Sequence, residues 1–224
     1  MIARTDASRS PGEHSERENR RSYRRSAPHG LTRDGGATSR YGVTVTTPRI
    51  PSGTAKTLGP VNWLICKVIA KGAGVPNPHL FTTLGRTGGL FRAWLFYSGH
   101  LMPGGKISRK ESEMVILRVA HLRESAYEMD HHVRLGRRAG IDRDLLASIK
   151  TGPDAPGLST RYRTILTAVD ELLATKTLTD ATWAELATQF DERRLIEFML
   201  LVTQYDGLAT TLGTLRVERD YTER

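Results

Sequence analysis

The chain has 224 residues, a formal net charge of +9 and a single cysteine, Cys66. One cysteine excludes an internal disulfide, a thiolate metal cluster and a C-x-x-C redox pair, and no apolar run approaches the roughly 20 residues that span a bilayer. The charge is uneven: residues 1–50 hold ten arginines and five acidic side chains, so more than half of the excess falls in the first quarter of the chain.

Residues 1–50 are rich in Arg, Ser, Gly and Thr, with a basic cluster at Arg20, Arg21, Arg24 and Arg25 and few apolar residues. Such a segment cannot bury enough surface to order itself. We therefore expect a disordered Arg-rich tail over 1–50 and a helical domain over 51–224. Three readings of the tail stay open: a solvated extension, an arm that contacts phosphates or nucleic acid, or a stretch upstream of a true start at Val43 or Val45. Its arginines are not followed by an apolar run, so it does not read as a secretory signal. A cytoplasmic address is expected, with no membrane partner and with nucleic-acid contact only through the tail.

From Pro60 onward the pattern is helical. Val61 to Ala70 places apolar residues at helical spacing and ends in Gly72-Ala73-Gly74. Cys66 reads there as a small buried hydrophobe. A second segment runs from His79 to Tyr97, where Gly85, Gly88 and Gly89 either permit close helix approach or interrupt the helix. Phe91, Trp94, Leu95 and Tyr97 read as packing residues or as part of a subunit contact. Ser108-x-x-Glu111 is a capping box opening the run ESEMVILRVAHL. The next helix is expected from Ser125 to Ala139, with Gly140 just past its end.

Asp142 then caps a short helix ending at Gly152. Ser159 caps RYRTILTAVDELLAT, where Tyr162, Ile165, Leu166, Val169, Leu172 and Leu173 form one stripe. Thr179 caps DATWAELATQF, and Asp191 caps ERRLIEFMLLVTQYDGLATTL. No alternating β-branched run follows Val43–Thr47. The expected fold class is all-α.

Chemistry concentrates between Glu113 and His132. Ser125, Glu128 and His132 are spaced by three and four residues, which sets them on one helix face. An imidazole one turn from a carboxylate makes a proton-handling pair, because His titrates near neutral pH and an acid can orient it. Ser125-x-x-Glu128 is also a capping box in its own right, and both readings stay open. Glu113 equally suits the first turn of its helix, and His132 equally suits a hydrogen-bonded core position. His131 points roughly 100° away from His132 and reads as a surface residue. A metal set of His121, Glu128 and His132 follows no ligand spacing typical of a known metal site, so no metal is expected.

The strings Glu113-x-x-Ile116-Leu117-Arg118-Val119-Ala120, Ala126-Tyr127-Glu128-x-x-x-His132 and Ala139-Gly140-Ile141 resemble the carboxymuconolactone decarboxylase superfamily. Ala168-Val169-Asp170-Glu171-Leu172, Thr179-x-Ala181-Thr182-Trp183 and Val202-x-x-Tyr205 fit the same superfamily's later helices. The resemblance covers roughly residues 60–215.

Its alkylhydroperoxidase D-like branch carries Glu-x11-Cys-x2-Cys-x3-His, which falls here on Glu113, Ser125, Glu128 and His132. The spacing is the same and both cysteines are missing, so thiol peroxidase chemistry by that route is not expected. The decarboxylase branch lacks the cysteine pair and shows Glu-x3-His, which Glu128 and His132 match. That resemblance implies a helical subunit assembling into homotrimers or homohexamers, and decarboxylation without a metal or organic cofactor.

The implied activity is a cofactor-independent decarboxylase or related proton-transfer enzyme acting on a small carboxylated or lactone substrate. His132 is the expected proton donor, Glu128 orients it or raises its pKa, and Glu113 completes a relay from the neighbouring helix. Arg118, with Arg123 as second choice, is the expected receiver of a substrate carboxylate. Ser125 and Tyr205 are expected to line the substrate site, ahead of His100 and His121. The alternatives are a non-catalytic oligomeric scaffold of the same fold, or a peroxidase-related antioxidant protein lacking the cysteine pair.

Overall fold

In the computed structural model residues 47–221 are described. Among them stand nine α-helices and one 3₁₀ turn, with no strand. They are α1 (Ala55–Ala73), α2 (His79–Leu84), α3 (Gly89–Leu101), α4 (Arg109–Leu122), α5 (Ala126–Arg138), α6 (Arg143–Thr151), α7 (Thr160–Thr175), α8 (Asp180–Gln189) and α9 (Glu192–Leu215). The tail expected over 1–50 lies outside the described residues as far as residue 46. Arg49, within the span expected for the tail, donates its N–H to the Leu215 carbonyl at 2.9 Å. No helix among the described residues is long and apolar enough to cross a membrane.

Four helices start where their side-chain caps predict. Asp142, Ser159, Thr179 and Asp191 each accept from the backbone N–H three residues on, satisfying one of the donors a helix start leaves orphaned. Ser108 does the same for Glu111 at the head of α4, and its hydroxyl donates to the Glu111 carboxylate at 2.7 Å. Gly59 (φ 71°) breaks α1, and Pro60 restarts it at the position where a missing N–H costs nothing.

Helix α4 is the axis of the domain, because Glu111 through Ala120 are all buried. Four consecutive apolar residues, Met114 to Leu117, cover every face of its middle turn, so that turn has to be enclosed on every side. Val115, Ile116 and Val119 pack against α7, α8 and α9, where Ile165, Leu186 and Phe198 meet them. Met114 and Leu117 pack toward Ile141, Ile149 and Leu166 on the other side. Full burial of each such side chain stabilises by about 1.5–3 kcal/mol.

The glycine-rich stretch after α2 does both things its sequence allowed. A Cβ on Gly85 would lie 2.7 Å from Leu58 Cδ2, so this backbone is a close approach. Gly88 (φ 64°, ψ −118°) is a break that an L side chain would strain. Buried Asn62 spans the turn, donating to the carbonyls of Gly85 at 2.8 Å and Gly88 at 3.1 Å.

After α9 the chain doubles back over α5. Asp220, its side chain fully buried, accepts from Tyr127 Oη (2.7 Å) and from the backbone N–H of His79 (2.8 Å), and pairs with His131 Nε2 (3.0 Å). Arg219 forks onto Asp130, and Arg134 lies over the Tyr221 ring. Three separate stretches of sequence thus meet at one carboxylate.

Candidate active site

A cavity of about 790 Å3 opens between α1–α3 on one side and α4, α5 and α9 on the other. Its two walls differ in chemistry. Helices α1–α3 present Ile69, Phe81, Trp94 and Leu95, with Ser98 as their polar lining side chain. Every titratable lining residue comes from α4, α5 or α9: Arg109, Tyr127, Glu128, His131, His132 and Tyr205.

Glu113 and His132 are brought together across the α4–α5 contact. His132 Nδ1 lies 2.8 Å from Glu113 Oε2, and both side chains are buried. The carboxylate accepting from Nδ1–H fixes the ring's tautomer and leaves Nε2 as the nitrogen for a ligand. The other carboxylate oxygen, Oε1, sits 2.8 Å from Arg109 Nη2 as an ion pair one helical turn back, without hydrogen-bond alignment. The Tyr205 ring meets His132 edge-on, centroids 5.2 Å apart. Burial, and next the negative charges of Glu113 and Glu128, push the Tyr205 hydroxyl well above its ordinary range, so it stays a proton carrier rather than a phenolate.

Glu128 does not orient His132; Glu113 does. The Glu128 side chain borders the cavity, but among the described residues neither of its buried oxygens makes a hydrogen bond. Its carboxyl is pushed up to about 7. Burial is the main cause, the nearby Ser125 hydroxyl pulls it back, and the Asp206 charge raises it further. Ser125 is close enough to be felt yet out of hydrogen-bond geometry with Glu128.

The capping-box reading of this pair fails as well: Ser125 stands at the N-cap of α5 and its side chain caps nothing. With His121 and Met129, Ser125 lines a shallow depression separate from the cavity. The turn at residues 123–125 likewise takes His121 off the face shared by Glu128 and His132. Among the described residues no group of three metal-ligating side chains is set to hold an ion.

Neither sequence-favoured arginine reaches the cavity. Arg118 forks onto Asp170 with two bonds of 2.7 Å and donates to the carbonyls of Ile149 and Lys150 at 3.0 and 2.7 Å. All of its donor nitrogens are committed to holding α4 against α6 and α7. Arg123 is tied to Asp206 and the Leu173 carbonyl. The cation at the cavity is Arg109, whose signal was its i, i+4 spacing to Glu113. His100 bonds the Phe96 carbonyl and faces outward. His131 is not a surface residue: it lines the cavity, stacked on Tyr127 with ring centroids 4.7 Å apart and tied to Asp220.

The geometry can be set beside known proteins. Residues 88–171 match the model of the carboxymuconolactone decarboxylase family. The match spans α3 to α7, with Glu113, Glu128 and His132 inside it and Tyr205 outside. The fold is similar to the alkylhydroperoxidase AhpD core of an uncharacterized peroxidase-related protein from Ralstonia eutropha JMP134 (TM-score 0.67, 17% identity, covering 77% of this chain and 92% of that one). It is also similar to an uncharacterized peroxidase-related protein from Silicibacter sp. TM1040 (TM-score 0.65, 15% identity, 78% and 94%). A protein of unknown function from Agrobacterium tumefaciens aligns at TM-score 0.54 (15% identity, 59% and 92%). No curated protein matches the chain in sequence.

Proposed function

We propose a function on the premise that the chain belongs to the carboxymuconolactone decarboxylase superfamily, in the helical fold it shares with alkylhydroperoxidase D-like proteins. The chain is a carbon-acid enzyme, a carboxy-lyase or related proton-transfer catalyst, that works through its own side chains. The observation that carries this reading is the buried Glu113–His132 pair at the wall of a cavity, with Tyr205 against the imidazole.

Loss of CO₂ from a carboxylate β to a carbonyl moves the C–C bonding pair onto the carbonyl oxygen as an enolate. That charge needs a donor beside it, and the α-carbon then needs a proton. His132 Nε2 supplies a proton at the cavity, while Glu113 holds the ring by Nδ1 and stabilises the imidazolium when it forms. The Tyr205 hydroxyl, held protonated by its surroundings, is a second donor for the enolate oxygen. Glu128, its carboxyl pushed up to about 7, is mostly protonated below that pH and then bears a proton in the same wall. One proton is taken up for each CO₂ released, and solvent restores it.

Peroxide chemistry through the lone thiol finds no support. Cys66 lies on the buried face of α1 and its burial raises the thiol pKa, away from the thiolate such chemistry requires. Self-association belongs to the proposal: Val61, Leu64 and Val68 form an exposed apolar stripe on α1, the kind of surface a second copy covers.

The test is a screen of β-keto acids and lactones for CO₂ release or solvent-deuterium uptake at carbon, run on the full chain beside His132→Ala. Turnover that His132→Ala lowers at least about 100-fold supports the reading. Turnover untouched by the substitution refutes it.

A further inference from the structure

From the division of the cavity into two chemically different walls, we infer its ligand class: an acid or carbonyl compound with an extended apolar tail and no more than one negative charge. The inference rests on the reading above in taking the ligand as the substrate, but its test requires no turnover.

The volume comes first. About 790 Å3 is in the upper part of the range of roughly 300–1,000 Å3 that encloses drug-sized ligands. A compact dicarboxylic lactone would leave much of it unfilled. The apolar wall comes second. Ile69, Phe81, Trp94 and Leu95 come from three different elements and turn hydrocarbon or aromatic surface to the same space. Trp94 is held by Phe81 and Phe91, its ring centroid 6.2 and 6.5 Å from theirs, so this surface is built in place. Ser98, the polar exception, is occupied in accepting from Gln204 Nε2 at 3.1 Å.

The charges come third. Among the described residues the cavity has one guanidinium, Arg109, and it is already shared with Glu113. His131 is likewise matched to Asp220. A ligand with two carboxylates would bring a second charge into a largely apolar space where the described residues leave no cation to meet it, which is costly. A single carboxylate or carbonyl fits beside Arg109, His132 and Tyr205, and the tail then lies along α1–α3.

The test compares three acids on the full chain by calorimetric titration at pH 7: octanoic, hexanoic and adipic. Octanoic and adipic acids have the same number of non-hydrogen atoms and differ in charge. Each methylene buried should tighten binding about fourfold. Octanoic acid is therefore expected to bind more than tenfold tighter than hexanoic acid, and more than tenfold tighter than adipic acid. Ile69→Asp and Leu95→Asp, both at half-buried positions, should erase that advantage.

A second readout does not depend on those variants. Octanoic acid should shift the tryptophan emission of the wild type and of Trp63→Phe, and should leave that of Trp94→Phe unchanged. Any of three results overturns the inference: adipic acid binding as tightly as octanoic, affinity independent of chain length, or a length effect that persists in both Asp variants and in the emission of Trp94→Phe. Those results would leave a turnover requiring His132 intact. Conversely, tight octanoic acid binding with no His132-dependent turnover would keep the ligand class and remove the lyase.

Discussion

Replacing Glu128 by glutamine should stabilise the protein at alkaline pH. The unfolded chain holds this carboxyl at its ordinary 4.5, whereas the folded chain pushes it up to about 7. Below about pH 4.5 both states are protonated and the group costs nothing. As pH rises toward 7 the unfolded state releases its proton first, so the folded state is progressively disfavoured. Above pH 7 the penalty is complete at about 3 kcal/mol.

Glutamine keeps the shape and does not titrate. The stability of Glu128→Gln minus that of the wild type should therefore grow by about 3 kcal/mol between pH 4.5 and pH 8. For a domain of this size that corresponds to a relative gain of about 6–12 °C in Tm. The assay is thermal unfolding followed by circular dichroism at several pH values, using the difference between the two proteins so that other titrating groups cancel. A difference that stays flat across this range would refute the argument that burial without a hydrogen-bond partner governs Glu128. If it grows as expected while turnover falls, the residue is retained at a cost to stability, the usual mark of a group selected for work.

Arg118→Met should cost about 3–5 kcal/mol in urea unfolding, since it strands Asp170 and two carbonyls. The same variant should leave octanoic acid affinity unchanged, which separates Arg118 from the ligand site. Glu113→Gln should lower turnover at least about tenfold, because the amide no longer stabilises positive charge on the His132 ring it holds at 2.8 Å. Unchanged turnover would remove Glu113 from the relay. Asp220→Asn should cost about 1–3 kcal/mol by weakening what Tyr127, His131 and the His79 N–H share; equilibrium unfolding with an unchanged m-value checks it.

Local signals carried the fold well where one side chain decides one terminus. Asp142, Ser159, Thr179 and Asp191 each do in the structure what their short range dictates. Ser125 looked no different, and the reading failed there because burial beside Glu128 set its surroundings rather than the N–H groups of α5. The pairing of Glu113 with His132 follows from two helices packing face to face, and their spacing already hinted at it. Choosing Arg109 over Arg118 needed the third dimension. Both lie on α4, but nine residues of separation turn one to the cavity and the other to Asp170. His131 escaped for a different reason: its partner Asp220 is 89 residues away in a segment without periodicity.

That clamp on Asp220 also sets an order in time. Ile69, the first wall residue of the cavity, is made about 150 residues before Asp220. At about 5–20 residues per second of synthesis, the wall waits about 8–30 s for its last support. A chain interrupted shortly before Asp220 already carries Glu113, Glu128, His132 and Tyr205, yet Tyr127 and His131 lack the carboxylate that fixes them. The support of Tyr127 and His131 therefore depends on a carboxylate made after every residue that lines the cavity.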